Sequence, residues 1–262
     1  MRETYLPSFT EIFPKVFLAV FLSCLALVAL AQPTDQSAAA RLQAGDTLGA
    51  IVVLKKELTS VRKPADAANA EGFIKYLQHD YAGALEDLDR AINLNANHAV
   101  ARYNRALVEG KLAMNNEAAE DYAAAIRIDP NFLAVYWSRG LAKVSTGNHQ
   151  EALRDFSSAL ALKPEWVFAL YQRAEVYGQL KEYKKQVSDL DQVIRLTPYD
   201  AKAYLERGMA KARQGRYDEA GDDYDLALGL EPENADARFR KNALEEKALG
   251  RRGGEALTST NE

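Results

Sequence analysis

The chain has 262 residues, with 33 lysines and arginines against 37 aspartates and glutamates and a formal net charge of −4. A mildly acidic chain without a basic stripe is a poor candidate for binding nucleic acid, and its densest cationic group, Arg238, Arg240, Lys241, Arg251 and Arg252, reads as a solvated face. The single cysteine, Cys24, excludes a disulfide within the chain, so stability must come from packing.

From the N-terminus, residues 16–31 (VFLAVFLSCLALVALA) carry no charge, follow Lys15, and end in Ala29-Leu30-Ala31 before Gln32-Pro33. This is the form of a secretory signal peptide with a small-x-small cleavage site. It predicts an exported, periplasmic protein whose mature chain lacks cysteine. Two alternatives stay open. The uncharged run from Val16 to Thr34 has 19 residues, just enough for an uncleaved membrane anchor. Cys24 could instead carry lipid, although Phe21-Leu22-Ser23 is a poor lipoprotein box.

Beyond this segment the chain repeats. Pro130, Pro164, Pro198 and Pro232 stand 34 residues apart, and the same offset links Ala50, Ala84, Ala118, Ala152, Gln186 and Ala220. Small residues recur at Ala38, Gly72, Ala106, Gly140, Ala174 and Gly208, and large apolar ones at Leu54, Leu88, Tyr122, Phe156, Leu190 and Tyr224. The periods are 31–64, 65–98, 99–132, 133–166, 167–200 and 201–234, each numbered from position 1. Within 133–166, Tyr136, Gly140 and Ala142, then Ala152, Leu153, Phe156, Ala159 and Leu160 have helical spacing on either side of Gly147-Asn148. Each period is therefore two helices, A and B, joined by a turn. Neither helix buries its apolar stripe alone, so the periods must stack.

These columns resemble the tetratricopeptide repeat, whose pattern is large at position 4, small at 8, Ala at 20, aromatic or Leu at 24, Ala at 27 and Pro at 32. Period 133–166 supplies Tyr136, Gly140, Ala152, Phe156, Ala159 and Pro164; period 201–234 supplies Tyr204, Gly208, Ala220, Tyr224, Ala227 and Pro232. The resemblance implies an all-α fold, a right-handed α-solenoid of stacked helix-turn-helix repeats. Residues 32–64 look like a degenerate end repeat, 65–234 like five repeats, and 235–250 like a capping helix. Residues 251–262, polar and without period, read as a disordered tail.

Catalytic chemistry finds no support. His79, His98 and His149 fall in turns of different repeats, no histidine pair has metal spacing, and no glycine-rich phosphate loop or nucleophile elbow occurs. Paired acids such as Asp222-Asp223 are neighbours around a helix surface. The expectation is a non-enzyme without cofactor or metal.

Two polar columns share the period: Arg105, Arg139, Arg173 and Arg207 at position 7, and Asp87, Asp121, Asp155, Asp189 and Asp223 at position 23. Pairing each Asp with the basic residue of the next repeat gives Asp87–Arg105, Asp121–Arg139, Asp155–Arg173, Asp189–Arg207 and Asp223–Lys241. Pairing within a repeat would set Glu71 opposite Asp87, two like charges. The expectation is therefore an inter-repeat ladder of exposed pairs, each contributing about 0.2–1 kcal/mol.

Positions 2, 5, 9 and 12 of helix A share one face, which the resemblance places on the concave surface. There Tyr103, Trp137 and Tyr171 occupy position 5, Phe168 position 2, Asn104 position 6, and Leu107 and Leu141 position 9. Rigid aromatics are typical anchors for a peptide or partner helix; packing between helices is the competing role for the same side chains. The two-carboxylate clamp of chaperone-binding relatives is absent, because only Asn104 matches it and Asn69, Phe73, Ala134 and Ser138 do not. The expected function is an exported adaptor that holds a protein or peptide in its groove. The alternatives are a membrane-tethered envelope assembly factor and a non-catalytic, substrate-recruiting subunit of an enzyme complex.

Overall fold

The computed structural model describes residues 37–258; the signal-like segment lies outside them. The described residues form thirteen helices, and no strand occurs among them. They divide into two compact units, one ending at Leu162 and one beginning at Lys163. Unit 1 holds α1 (Ala38–Gln43), α2 (Thr47–Leu58), α3 (Pro64–Leu77), α4 (Tyr81–Leu94), α5 (Ala99–Lys111), α6 (Asn115–Ile128), α7 (Leu133–Ser145) and α8 (His149–Leu162). Unit 2 holds α9 (Val167–Gln179), α10 (Tyr183–Leu196), α11 (Ala201–Arg213), α12 (Tyr217–Leu230) and α13 (Ala235–Thr258).

Each period from 65 onward is a helix pair whose length hardly varies, because the same small residues let the two backbones approach. Gly140 faces the Phe156 ring so closely that a Cβ there would lie 2.7 Å from Cε1, and at Gly208 it would lie 2.6 Å from Cε1 of Tyr224. Position 24 thus fills the notch that position 8 leaves, and Leu88, Tyr122, Phe156, Leu190 and Tyr224 are all buried. Ala84, Ala91, Ala125, Ala152, Ala159, Ala220 and Ala227 complete the contact at 4% exposure or less.

The A–B turn needs one left-handed residue, and it always falls at position 15. Gly45, Gly147 and Gly215 take φ of 80°, 77° and 80° there, whereas His79, Ala113 and Lys181 take 63°, 60° and 60°. A Cβ in that region costs about 1–2 kcal/mol. Three repeats therefore carry strain that the other three avoid.

A second regularity lies in the B–A junction and was not read from the sequence. Tyr136 Oη donates to the Pro130 carbonyl at 3.1 Å and Tyr204 Oη to the Pro198 carbonyl at 3.2 Å. Arg102 Nε does the same to Ala96 O at 3.2 Å, and Arg238 Nη2 to Pro232 O. At these four junctions position 4 ties helix A to position 32 of the repeat before it, through tyrosine or arginine alike; Leu170 and Ala68 at the same position cannot.

The C-terminal helix departs from expectation. α13 continues to Thr258, so residues 251–258, expected as a tail, are helical; no proline intervenes, and Arg, Glu, Ala and Leu in that stretch are good helix formers that offset Gly253 and Gly254. At the other end, period 31–64 keeps a helix pair, but its helix A is reduced to Ala38–Gln43.

Candidate functional site

The acidic column at position 23 is buried, and it pairs within repeats. Arg105, Arg139, Arg173 and Arg207 each donate two hydrogen bonds to Asp121, Asp155, Asp189 and Asp223 respectively, the position-23 aspartate of their own repeat. The expected inter-repeat pairs Asp87–Arg105, Asp121–Arg139 and Asp189–Arg207 are therefore wrong within the units. Lys241 pairs with Asp225, not Asp223. The like-charge objection fails because Arg90 stands between Asp87 and Glu71 and bonds both. The expected exposure was also wrong: Asp155, Asp189 and Asp223 are 1–2% exposed.

A buried carboxylate needs more than one donor, and most of these have a second cation. Lys75, Lys143 and Lys211 at position 11 lie 2.7, 3.0 and 2.8 Å from Asp87, Asp155 and Asp223. Asp121 faces Glu109 at that position and takes its second cation from Arg102, at 3.2 Å. Inter-repeat contacts do exist, one position-type further on: Arg105 bonds Asp89 at 2.6 Å and Arg207 bonds Asp191 at 2.7 Å. Arg105 and Arg207 are thus bridges between their own buried Asp and position 25 of the repeat before, a role Arg139 lacks because Ala123 stands at that position.

The expected groove residues split by unit. In unit 1, Tyr103, Trp137, Leu107, Leu141 and Asn104 are buried, at 0, 2, 6, 8 and 3% exposure. Position 5 there packs rather than waits for a partner. Trp137 lies 5.5 Å from the Phe156 ring, and Tyr103 lies 6.3 Å from Tyr122 and 5.2 Å from Phe132. Polar atoms on this face are used between neighbouring A helices: Tyr103 Oη meets Ser138 Oγ at 3.1 Å, and Asn104 Nδ2 donates to Asn69 Oδ1 at 2.8 Å.

In unit 2 these columns are more open in period 167–200, whereas Leu205 at position 5 of the next repeat is buried. Phe168 is 45% exposed. Tyr171 is half-buried: its hydroxyl donates to Asp200 Oδ2 at 2.6 Å, and Lys202 Nζ stands 5.2 Å from the ring centre. Burial and then the Asp200 contact raise the Tyr171 phenol, so it stays neutral and donates. Asp200 is itself fixed, since its other oxygen accepts Ala203 N at 3.3 Å as the N-cap of α11. Glu175 is exposed at position 9. Glu206, 3.5 Å from Lys202, has its carboxyl raised by burial, against the pull of Lys202. The missed signal was at position 24: Tyr122 and Phe156 pack on position 5 in unit 1, whereas the repeat containing Tyr171 has Leu190.

Among the described residues, no group of three or more His, Cys, Asp or Glu side chains could hold a metal ion, and no helix is long and apolar enough to cross a membrane.

The family model for the tetratricopeptide repeat matches residues 111–165, 138–201 and 171–235. No curated protein matches the sequence. Among solved structures, the protein MamA is similar at 22% identity and TM-score 0.59, over 66% of this chain and 94% of that one. YrrB, described as a TPR protein with an unusual peptide-binding site, is similar at 20% identity and TM-score 0.61, over 72% and 97%. The C-terminal part of a TPR repeat-containing protein from Cytophaga hutchinsonii is similar at 21% identity and TM-score 0.63, over 80% and 84%. At these identities the likeness concerns the fold. Residues 111–235 carry tetratricopeptide repeats, and the described residues are an all-α array of such repeated helix pairs.

Proposed function

We propose that this protein is an exported, non-catalytic interaction scaffold that holds a peptide or helix of a protein partner, with the helix-A face of unit 2 as the contact. The observation that carries this reading is the pair Phe168 and Tyr171. One is an aromatic ring 45% exposed, beside a second ring held in place by Asp200 and Lys202. A pre-positioned aromatic loses little entropy when a partner covers it, which is why such residues become hot spots. The corresponding columns of unit 1 are filled by packing, so their aromatics serve stability. A peptide-binding site in YrrB makes peptide recognition a natural use of the fold; the assignment to this face rests on the exposed pair. Export is supported by the uncharged run 16–31 and its Ala29-Leu30-Ala31 end.

A photo-crosslinking residue at 168 tests the face. The reading expects a discrete protein adduct in the native cells, absent when the same residue is placed at Arg154, an exposed helix-B position. Equal yields at both positions would contradict it. The mass of the isolated protein tests export: a start at Gln32 supports it, whereas a start at Met1 or a lipidated Cys24 favours the membrane-tethered assembly factor. Turnover of a substrate by the purified chain alone would contradict the non-catalytic reading.

A further inference from the structure

Position 11 of helix A carries lysine wherever it supports a buried position-23 aspartate: Lys75, Lys143 and Lys211. In period 99–132 the residue is Glu109, an acid placed where three other repeats put a lysine and period 167–200 puts Tyr177. Glu109 is 5% exposed, and its Oε2 is buried without a hydrogen-bond partner. The nearest cation, Arg105 Nε, lies 3.7 Å from Oε1, and Arg105 is already bonded to both Asp121 and Asp89.

We propose that Glu109 is a proton-operated lock on the α5–α6 pair: a proton on Glu109 holds α5 against α6, and loss of that proton loosens them. The groups facing it are Arg105 on its own helix, Asp121 and Glu117 on α6, and Asp89 on α4. Tyr122 of α6 also lies near it and in turn faces Tyr76 of α3, and α7 meets α5 through the uncharged Ser138. Three carboxylates thus contend for Arg105 when Glu109 is ionised, with Arg102 helping only Asp121. Protonation leaves two carboxylates and two arginines.

Burial, followed by the Asp121 charge, pushes the Glu109 carboxyl from 4.5 up to about 7, with Arg105 pulling it down. A raised acid binds its proton more tightly when folded. Stability is therefore greatest below 4.5 and falls as pH rises through 7. With those two limits, the opening constant of the pair rises about tenfold between pH 6 and pH 8.

Hydrogen exchange on the full chain, corrected for intrinsic rates, reads this directly. Amides of residues 99–128 are expected to open about tenfold more at pH 8 than at pH 6, with residues 133–162 unchanged. In Glu109→Gln and in Glu109→Lys, which restores the lysine of the column, the rise with pH is expected to vanish. His98, which caps α5 and whose imidazole burial holds below its usual value, favours opening in acid, the opposite sign, so it cannot mimic the result. Opening that does not rise with pH in the parent, or a rise that survives both substitutions, would overturn the lock. So would failure of both variants to fold, since removing the charge is expected to tighten the pair.

Discussion

The within-repeat arginine–aspartate pairs can be tested by double-mutant cycles on Asp155. Arg139 donates to Asp155 from Nε at 3.0 Å and from Nη2 at 2.6 Å, and Lys143 Nζ lies 3.0 Å away. The Asp155 side chain is 3% exposed, whereas Arg139 and Lys143 each retain 21%. Removing one member of a buried pair costs about 3–5 kcal/mol, because the partner stays behind uncompensated. Both cations here keep some water, so Asp155→Ala is expected near the bottom of that range, about 3 kcal/mol. A cycle of Asp155→Ala with Arg139→Ala should show a coupling of about 1.5–3 kcal/mol. The cycle of Asp121→Ala with Arg139→Ala joins groups that make no bond to each other, and should be additive within about 0.5 kcal/mol. Urea unfolding followed by helical circular dichroism supplies the numbers, with an unchanged m-value as the condition for comparing variants. A coupling between Asp121 and Arg139 as large as that between Asp155 and Arg139 would refute the within-repeat reading.

Other expectations follow from local geometry. Ala113 sits at φ of 60°, so Ala113→Gly should raise stability by about 0.5–1 kcal/mol, net of the entropy of a new glycine; a loss of stability would show that the turn is not strained. His98 caps α5 through Nδ1, which accepts from Ala101 N at 3.3 Å, while Nε2 lies 3.2 Å from Asp66. Burial holds its imidazole below the usual 6.5. The cap therefore contributes fully above pH 6.5 and is lost as pH falls through the depressed folded value. His98→Ala should cost about 1 kcal/mol at pH 7.5, and the difference from the parent should shrink in acid; a constant difference from pH 7.5 to pH 5 would contradict the capping role.

Much of the fold was legible because its columns each have one physical job. Gly140 and Phe156 are legible as a pair, since a notch and the ring that fills it recur at the same spacing. The charge ladder was legible as composition but not as connectivity. A 34-residue period places each Arg beside two aspartates, and the choice between them turned on Arg90, which belongs to neither column. The position-4 tie was hidden because tyrosine and arginine look unrelated until both are seen donating to the same carbonyl. The groove was only half legible. An aromatic at position 5 is the same letter whether it packs, as Trp137 does on Phe156, or stands open beside an exposed Phe168. What separates them is the residue at position 24, whose size decides whether position 5 is covered.

The most direct test compares Phe168→Ala with Trp137→Ala, measuring partner binding and unfolding free energy on the same preparations. Phe168 is 45% exposed and Trp137 2%. The account expects Phe168→Ala to cost under about 1 kcal/mol of stability while weakening the partner by tenfold or more, and Trp137→Ala to cost about 3–5 kcal/mol of stability. Unchanged binding by a folded Phe168→Ala protein would contradict the claim that unit 2 presents the contact face.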